Sequence, residues 1–132
     1  MVEMTEPVIR MIKHPDTHKV MATVSPDGKP HAIVCGSLMV TEPDTIIVGE
    51  VFMHRASEYI QKNPDVEFLV WRGRDAYSIK AKAKARFDTG PVYDKMCSLL
   101  DKMGMTCVAV WVFEASEVWD ESASATSGDR VI

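Results

Sequence analysis

The feature that most constrains this chain is the run Tyr77–Phe87, where Tyr77, Ile79, Ala81, Ala83, Ala85 and Phe87 alternate with Ser78, Lys80, Lys82, Lys84 and Arg86. A strict period of two is the mark of a strand with one face covered and the other wet. The spacing therefore predicts a long strand with its lysines and Arg86 on a solvated outer face. Val20–Val24 and Pro30–Val40 read as two further strands joined by Ser25-Pro26-Asp27-Gly28, a tight-turn sequence. Thr45–Val51 and Thr106–Val118 add two more, with Gly49 marking a bulge or a close approach to the backbone. Val66–Trp71 is nearly continuous apolar, which predicts a strand buried on both faces.

Three stretches change period. Val8, Met11 and Ile12 fall on one helical face within Thr5–His14, and Ala56, Tyr59 and Ile60 on another that Asn63-Pro64 ends. Gly90-Pro91 opens a third, carrying Val92, Met96, Leu99, Leu100 and Met103, with Gly104 as its C-cap. The expected order is α-β-β-β-α-β-β-α-β. Six strands joined largely by hairpins predict antiparallel pairing closed as a small barrel. From Trp119 onward, Ser, Ala, Asp and Gly predict an extended or mobile tail, and 132 residues are one domain's worth.

Charge and composition exclude several classes of function. The net charge of −4 argues against a basic footprint for duplex nucleic acid. No apolar run approaches the roughly 20 residues of a membrane helix, and the Met1 region lacks the basic start and apolar stretch of a secretory signal. Cys35, Cys97 and Cys107 are odd in number and show no C-x-x-C spacing, so neither a disulfide framework nor a structural zinc is implied. Free thiols and nine methionines fit a reducing cytoplasm.

Conventional catalytic patterns are absent. No serine sits in a G-x-S-x-G elbow, and the three cysteines read as small core residues. His14, His18 and His31 do not have the spacing of a metal site. Trp71 and Trp111 read as core, whereas Trp119 is the least constrained of the tryptophans. The segment Gly49–Ser57 stands apart, because a strand containing glycine runs into a helix start with Arg55 in its first turn. Free N–H groups, the helix dipole and a guanidinium together make a phosphate site. The same residues also fit an exposed arginine following a strand end.

Four segments in this order resemble a known family: VMATVSPDGKPHAIV, GEVFMHRASEYIQKNPDVEFLV, YSIKAKAKARFDTGPVYDKM and CVAVWVFEASEVWD. Together, over about residues 18–120, they are similar to the pyridoxamine 5′-phosphate oxidase-like, FMN-binding split-barrel superfamily, within it the small FMN-binding proteins of anaerobic bacteria and archaea. The resemblance implies a six-stranded antiparallel Greek-key split barrel that forms a homodimer, with one FMN in each of two interface clefts. It implies that Arg55 holds the FMN phosphate, with Met53, His54, Ala56 and Ser57 around the helix start, and that Val34, Cys35, Gly36, Ser37, Val48, Gly49, Glu50 and Val51 line the flavin. Many members carry a basic residue where Met53 stands and a glycine where Ala81 stands. The implied activity is electron or hydride transfer, with a nicotinamide or a redox protein as donor. Alternatives are a non-catalytic flavin or haem carrier, with His31 or His54 as an axial ligand, and a deazaflavin-dependent reductase. True pyridoxamine 5′-phosphate oxidase is longer and has additional Arg and His residues that find no counterpart here, so that activity is not expected. Trp119, too apolar to be left uncovered, is expected near the flavin ring from the partner chain.

Overall fold

The computed structural model describes residues 1–132. Its elements are α1 (Glu6–Lys13), β1 (His18–Val24), β2 (Pro30–Val34), β3 (Met39–Glu42), β4 (Thr45–Glu50), α2 (His54–Lys62), β5 (Asp65–Arg72), β6 (Asp75–Phe87), α3 (Pro91–Asp101) and β7 (Ala109–Asp120). All seven strands join one sheet in the order β2-β1-β5-β6-β7-β4-β3, every neighbouring pair antiparallel. The β1–β2 hairpin closes as its sequence dictates: Gly28 takes φ 83°, open to a residue without Cβ, and its amide donates to the Ser25 carbonyl at 2.9 Å. No helix is long and apolar enough to cross a membrane.

The sheet corrects the expected strand count. Pro30–Val40 is not one strand but two, because the chain turns at Cys35–Leu38, where the Leu38 amide donates to the Cys35 carbonyl. That turn sends β2 and β3 to opposite edges of an open sheet, so the barrel is split rather than closed by hydrogen bonds. β5 is likewise not buried on both faces: Val66, Phe68 and Val70 enter the core, while Glu67, Leu69 and Trp71 face out. The C-terminal stretch is not a loose tail. β7 runs through Asp120, and the chain folds back so that the Val131 amide reaches the Val118 carbonyl at 2.8 Å and Trp119 bridges to Arg130.

The main core lies inside the curled sheet, capped by α1 and α2. Phe68 and Phe113 meet edge to face at 5.2 Å among Met21, Leu38, Ile46, Ile60 and Ile79, with Val8 and Ile12 supplied by α1. Each such side chain contributes about 1.5–3 kcal/mol on burial. A smaller cluster of Ile47, Met96, Leu100, Cys107 and Val110 sits under α3. Gly49 belongs beside that cluster: a Cβ there would stand 3.0 Å from Leu100 Cδ1 and Met96 Cγ. Its pairing with β7 continues without a bulge, so the glycine answers to the close approach of α3.

The alternation of β6 hides two irregularities. Its register against β7 shifts between Lys80 and Ala81 and again between Ala83 and Ala85. Ala83 pairs with Phe113 and Arg86 with Trp111, so the extra residue Lys84 reverses the phase. Arg86, expected on the outer face with the lysines, is thereby turned inward.

Candidate functional site

Between the main core and the α3 cluster lies an apolar cavity of about 380 Å³, within the size range of small-molecule sites. Its walls come from Met21 on β1, Ile33 to Ser37 at the end of β2 and the following turn, Val48 and Gly49 on β4, Val51 to Met53 before α2, and Leu100, Met103 and Met105 at the end of α3 and just beyond. The turn after β2 is held by three contacts. Ser37 Oγ donates to the Gly49 carbonyl at 2.8 Å and accepts the Gly49 amide at 3.1 Å, while Lys19 Nζ donates to the Leu38 carbonyl at 3.1 Å. One serine hydroxyl thus ties the edge turn to the strand across the cavity. Burial pushes the Cys35 thiol up to about 12 against the opposing influence of Lys19, so at neutral pH it is a neutral apolar wall.

Of the residues singled out in the sequence, Val34, Cys35, Gly36, Ser37, Val48, Gly49, Val51 and Met53 meet at this cavity. Glu50 does not. Its side chain, 10% exposed, points away and accepts bonds from Arg86 Nη2 at 2.9 Å, Arg86 Nε at 3.2 Å, Ser57 Oγ at 2.6 Å and Trp111 Nε1 at 2.9 Å. Burial alone would raise this carboxyl, but the bonds from Arg86, Ser57 and Trp111 outweigh it and hold Glu50 below the usual carboxylate range. Glu50 and Ser57 therefore form a clamp joining β4, α2, β6 and β7 rather than a side-chain contact for a ligand. Ala56 is fully buried in the core.

His54 and Arg55 occupy the exposed first turn of α2, which contains no acidic residue and whose N-cap, Met53, makes no side-chain bond to the free amides. Arg55 lies along its own helix, with Nη2 3.3 Å from the Tyr59 hydroxyl and the guanidinium 5.8 Å from that ring. Tyr59 meets His31 edge to face at 5.4 Å, and His31 Nδ1 is 3.2 Å from Thr23 Oγ1. No three metal-ligating side chains gather anywhere in the chain. Trp119 lies away from the cavity lining, with Arg130 5.6 Å over its ring and its Nε1 donating to Glu117.

Sequence reasoning missed Arg86, whose inward turn depends on a bulge that a perfect alternation conceals. It also missed Met21, Ile33, Phe52, Leu100, Met103 and Met105 as cavity walls. For Met105 a signal existed, an apolar residue beyond the Gly104 turn and outside any helical face.

An open antiparallel sheet curled around one core, with an apolar cleft where its edge turn meets the start of α2, defines a split barrel. The family model for pyridoxamine 5′-phosphate oxidase matches residues 8–125, and the chain belongs to that family. Solved structures share the fold at low identity. HupZ of Group A Streptococcus is 18% identical, with 97% of this chain and 100% of that one covered at a TM-score of 0.81. An FMN-binding protein from Syntrophomonas wolfei subsp. wolfei is 15% identical over 89% of this chain and 88% of its own, at 0.77. An F420 reductase is 16% identical over 83% and 93%, at 0.64. No curated protein sequence matches the chain significantly.

Proposed function

We propose that this protein is an FMN-binding redox protein that acts as a homodimer, with the flavin seated in the cavity between the β2 turn, the end of β4 and the loop after α3. The observation that carries the reading is the convergence of Val34–Ser37 with Val48, Gly49, Val51 and Met53 on one apolar cleft. Membership in a family whose fold also serves an FMN-binding protein and an F420 reductase supports a flavin over other planar ligands. A bound flavin supplies reversible one- and two-electron transfer. The chain's own residues do the rest: Val48, Val51 and Met53 exclude water from the ring, and the acid-free start of α2 with Arg55 offers an anion site for the phosphate. The cleft lining carries no Arg, Lys or His, so a second phosphate, such as that of a pyridoxamine phosphate substrate, has no partner there within one protomer. The electron donor in this reading is a nicotinamide or a redox protein.

The dimer reading rests on the outer face of the sheet. Val34, Val20, Leu69, Ser78 and Trp119 form one cross-strand row on β2, β1, β5, β6 and β7. Val34, 79% exposed, belongs both to this row and to the cavity wall. In this row Val34 and Leu69 are exposed, Val20 and Trp119 half-buried and Ser78 already buried. A second copy packed on it would cover the exposed apolar members, would enclose the cleft, and would meet Trp119.

The test is titration of the purified chain with FMN and riboflavin, followed by flavin fluorescence, beside the Arg55→Ala variant. FMN binding is expected, and Arg55→Ala should weaken it by one to two decades while riboflavin hardly changes, since a charge-assisted bond contributes about 1.5–3 kcal/mol. Equal losses for both ligands would remove Arg55 from the phosphate site. Failure to bind FMN, with binding of a deazaflavin or haem instead, would replace the cofactor.

A further inference from the structure

The α3 stripe carrying Tyr93, Cys97 and Leu100 is fastened to the segment Met105–Cys107 at both ends. At one end the Tyr93 hydroxyl donates to the Cys107 carbonyl at 3.2 Å; at the other the Met105 amide donates to the Leu100 carbonyl at 3.0 Å. Residues three and four apart share a helix face, so Cys97 stands between these fastenings and faces the same segment. Cys107 is 4% exposed within the cluster of Met96, Leu100 and Val110, and the half-buried Cys97 packs against that cluster. The two thiols also sense each other. Burial and then Cys97 push the Cys107 thiol up to about 11, and Cys97 is the leading influence that pushes the Tyr93 phenol up to about 12.

We propose that Cys97 and Cys107 form a dithiol–disulfide site that closes the loop between α3 and β7, with a low-molecular-weight disulfide as oxidant. Cys97, the more accessible thiol, loses its proton and attacks the small disulfide, expelling one small thiolate and forming a mixed disulfide. Cys107 then gives up its proton and displaces the second small thiolate from Cys97. The protein loses two hydrogens and the oxidant leaves as two thiols, so atoms and electrons balance. The closed loop contains Met103 and Met105, both cavity walls, so oxidation stiffens one side of the cleft. Cys35 stands apart on the β2 turn with its own buried surroundings and takes no part.

The experiment treats the reduced full chain with oxidised glutathione, blocks remaining thiols with N-ethylmaleimide, and reads intact mass and a peptide map. Two of the three thiols should disappear, so the blocked protein should carry one N-ethylmaleimide where the reduced protein carries three. Its own mass should be lower by two hydrogens with no glutathione retained, and one cross-linked peptide should join Cys97 to Cys107. Cys35→Ala should form the same Cys97–Cys107 bond and leave no thiol to be blocked, and Cys97→Ala should form no internal bond. The wild-type peptide map decides the matter even if a variant fails to fold. Glutathione left on Cys97, three thiols still free, or a bond involving Cys35 or a second copy would each overturn the proposal. None of these readouts involves FMN, so they stand or fall apart from the flavin reading.

Discussion

Two environments share three consecutive residues. Gly49 and Val51 line the apolar cavity, whereas Glu50 between them reaches into a polar clamp with Arg86, Ser57 and Trp111. Strand geometry makes this possible, since successive side chains point to opposite sides. The cavity is soft: flexible Met21, Met53, Met103 and Met105 surround it, and its mouth exposes Val34, Phe52 and Met103. The clamp is hard, with its carboxylate bonded to four donor atoms and no buried side-chain polar atom left unpartnered in the molecule. The strand end that walls the cavity is thus fixed from behind by the least exposed charge pair of the fold.

The most damaging break should be Glu50→Ala. It strands the Trp111 and Ser57 donors and leaves Arg86 inward without its counter-charge. Breaking a buried pair typically costs 3–5 kcal/mol. With the Arg86 side chain 34% exposed, water takes up part of its charge, and the expected loss is smaller, about 2 kcal/mol in urea unfolding, chiefly from the Trp111 and Ser57 donors left unpaired. A loss below about 1 kcal/mol, the worth of a surface pair, would show that the clamp is not the frame of the site.

Acid should undo the same clamp by degrees. Glu50 in the folded chain lies below its unfolded value of about 4.3. A carboxyl lowered by folding contributes stability that is complete above the unfolded value and is lost as pH falls through the folded one. The stability gap between wild type and Glu50→Gln should therefore be constant from neutral pH to about 5 and shrink below about 4. Asp120, also held low by its bonds from Ser122, is common to both proteins and cancels in the difference. A gap that stays constant down to pH 3 would mean that Glu50 is not ionised by virtue of Arg86.

The comparison also explains what could be read in the sequence. Period and turn chemistry located the elements, because each strand alternates or runs apolar and each break carries Gly, Pro or Asp. The turn at Cys35–Leu38 escaped notice: Cys35-Gly36-Ser37-Leu38 has only one turn-forming glycine, and apolar residues flank it on both sides. The cavity segments were legible by resemblance to a family, backbone wall by backbone wall. The clamp was not, since strict alternation in Lys80–Arg86 concealed the bulge at Lys84, and a buried partner for Glu50 is a property of the register rather than of either segment. The C-terminus misled for a related reason: the small and mostly polar residues Ser122–Gly128 form a folded turn that brings Val131 and Ile132 back onto β7.

A milder break should come from the cavity side. Gly49→Ala places a Cβ 3.0 Å from Leu100 Cδ1 and Met96 Cγ and 3.1 Å from Met96 Sδ, so two buried side chains of the α3 cluster must shift by tenths of an ångström. Overpacking of this kind costs about 1 kcal/mol, less than Glu50→Ala. Its larger effect should fall on flavin titration, since the displaced Leu100 is itself a cavity wall. Unchanged flavin affinity with the expected stability loss would move the ligand away from β4.

The smallest effect on folding should come from Phe52→Ser, although Phe52 lies only two residues from Glu50. Its ring is 82% exposed at the cavity mouth, so removing it gives up little packing and should change unfolding by no more than about 0.5 kcal/mol. In the proposed flavin complex or dimer, this bare ring beside the apolar cleft is surface that the ligand or the second copy would cover. Flavin affinity, dimer formation measured by sedimentation, or both should fall in Phe52→Ser while the urea midpoint holds. If stability falls as far as in Glu50→Ala, Phe52 belongs to the frame, and the division between a hard clamp and a soft cleft on either side of one strand end does not hold.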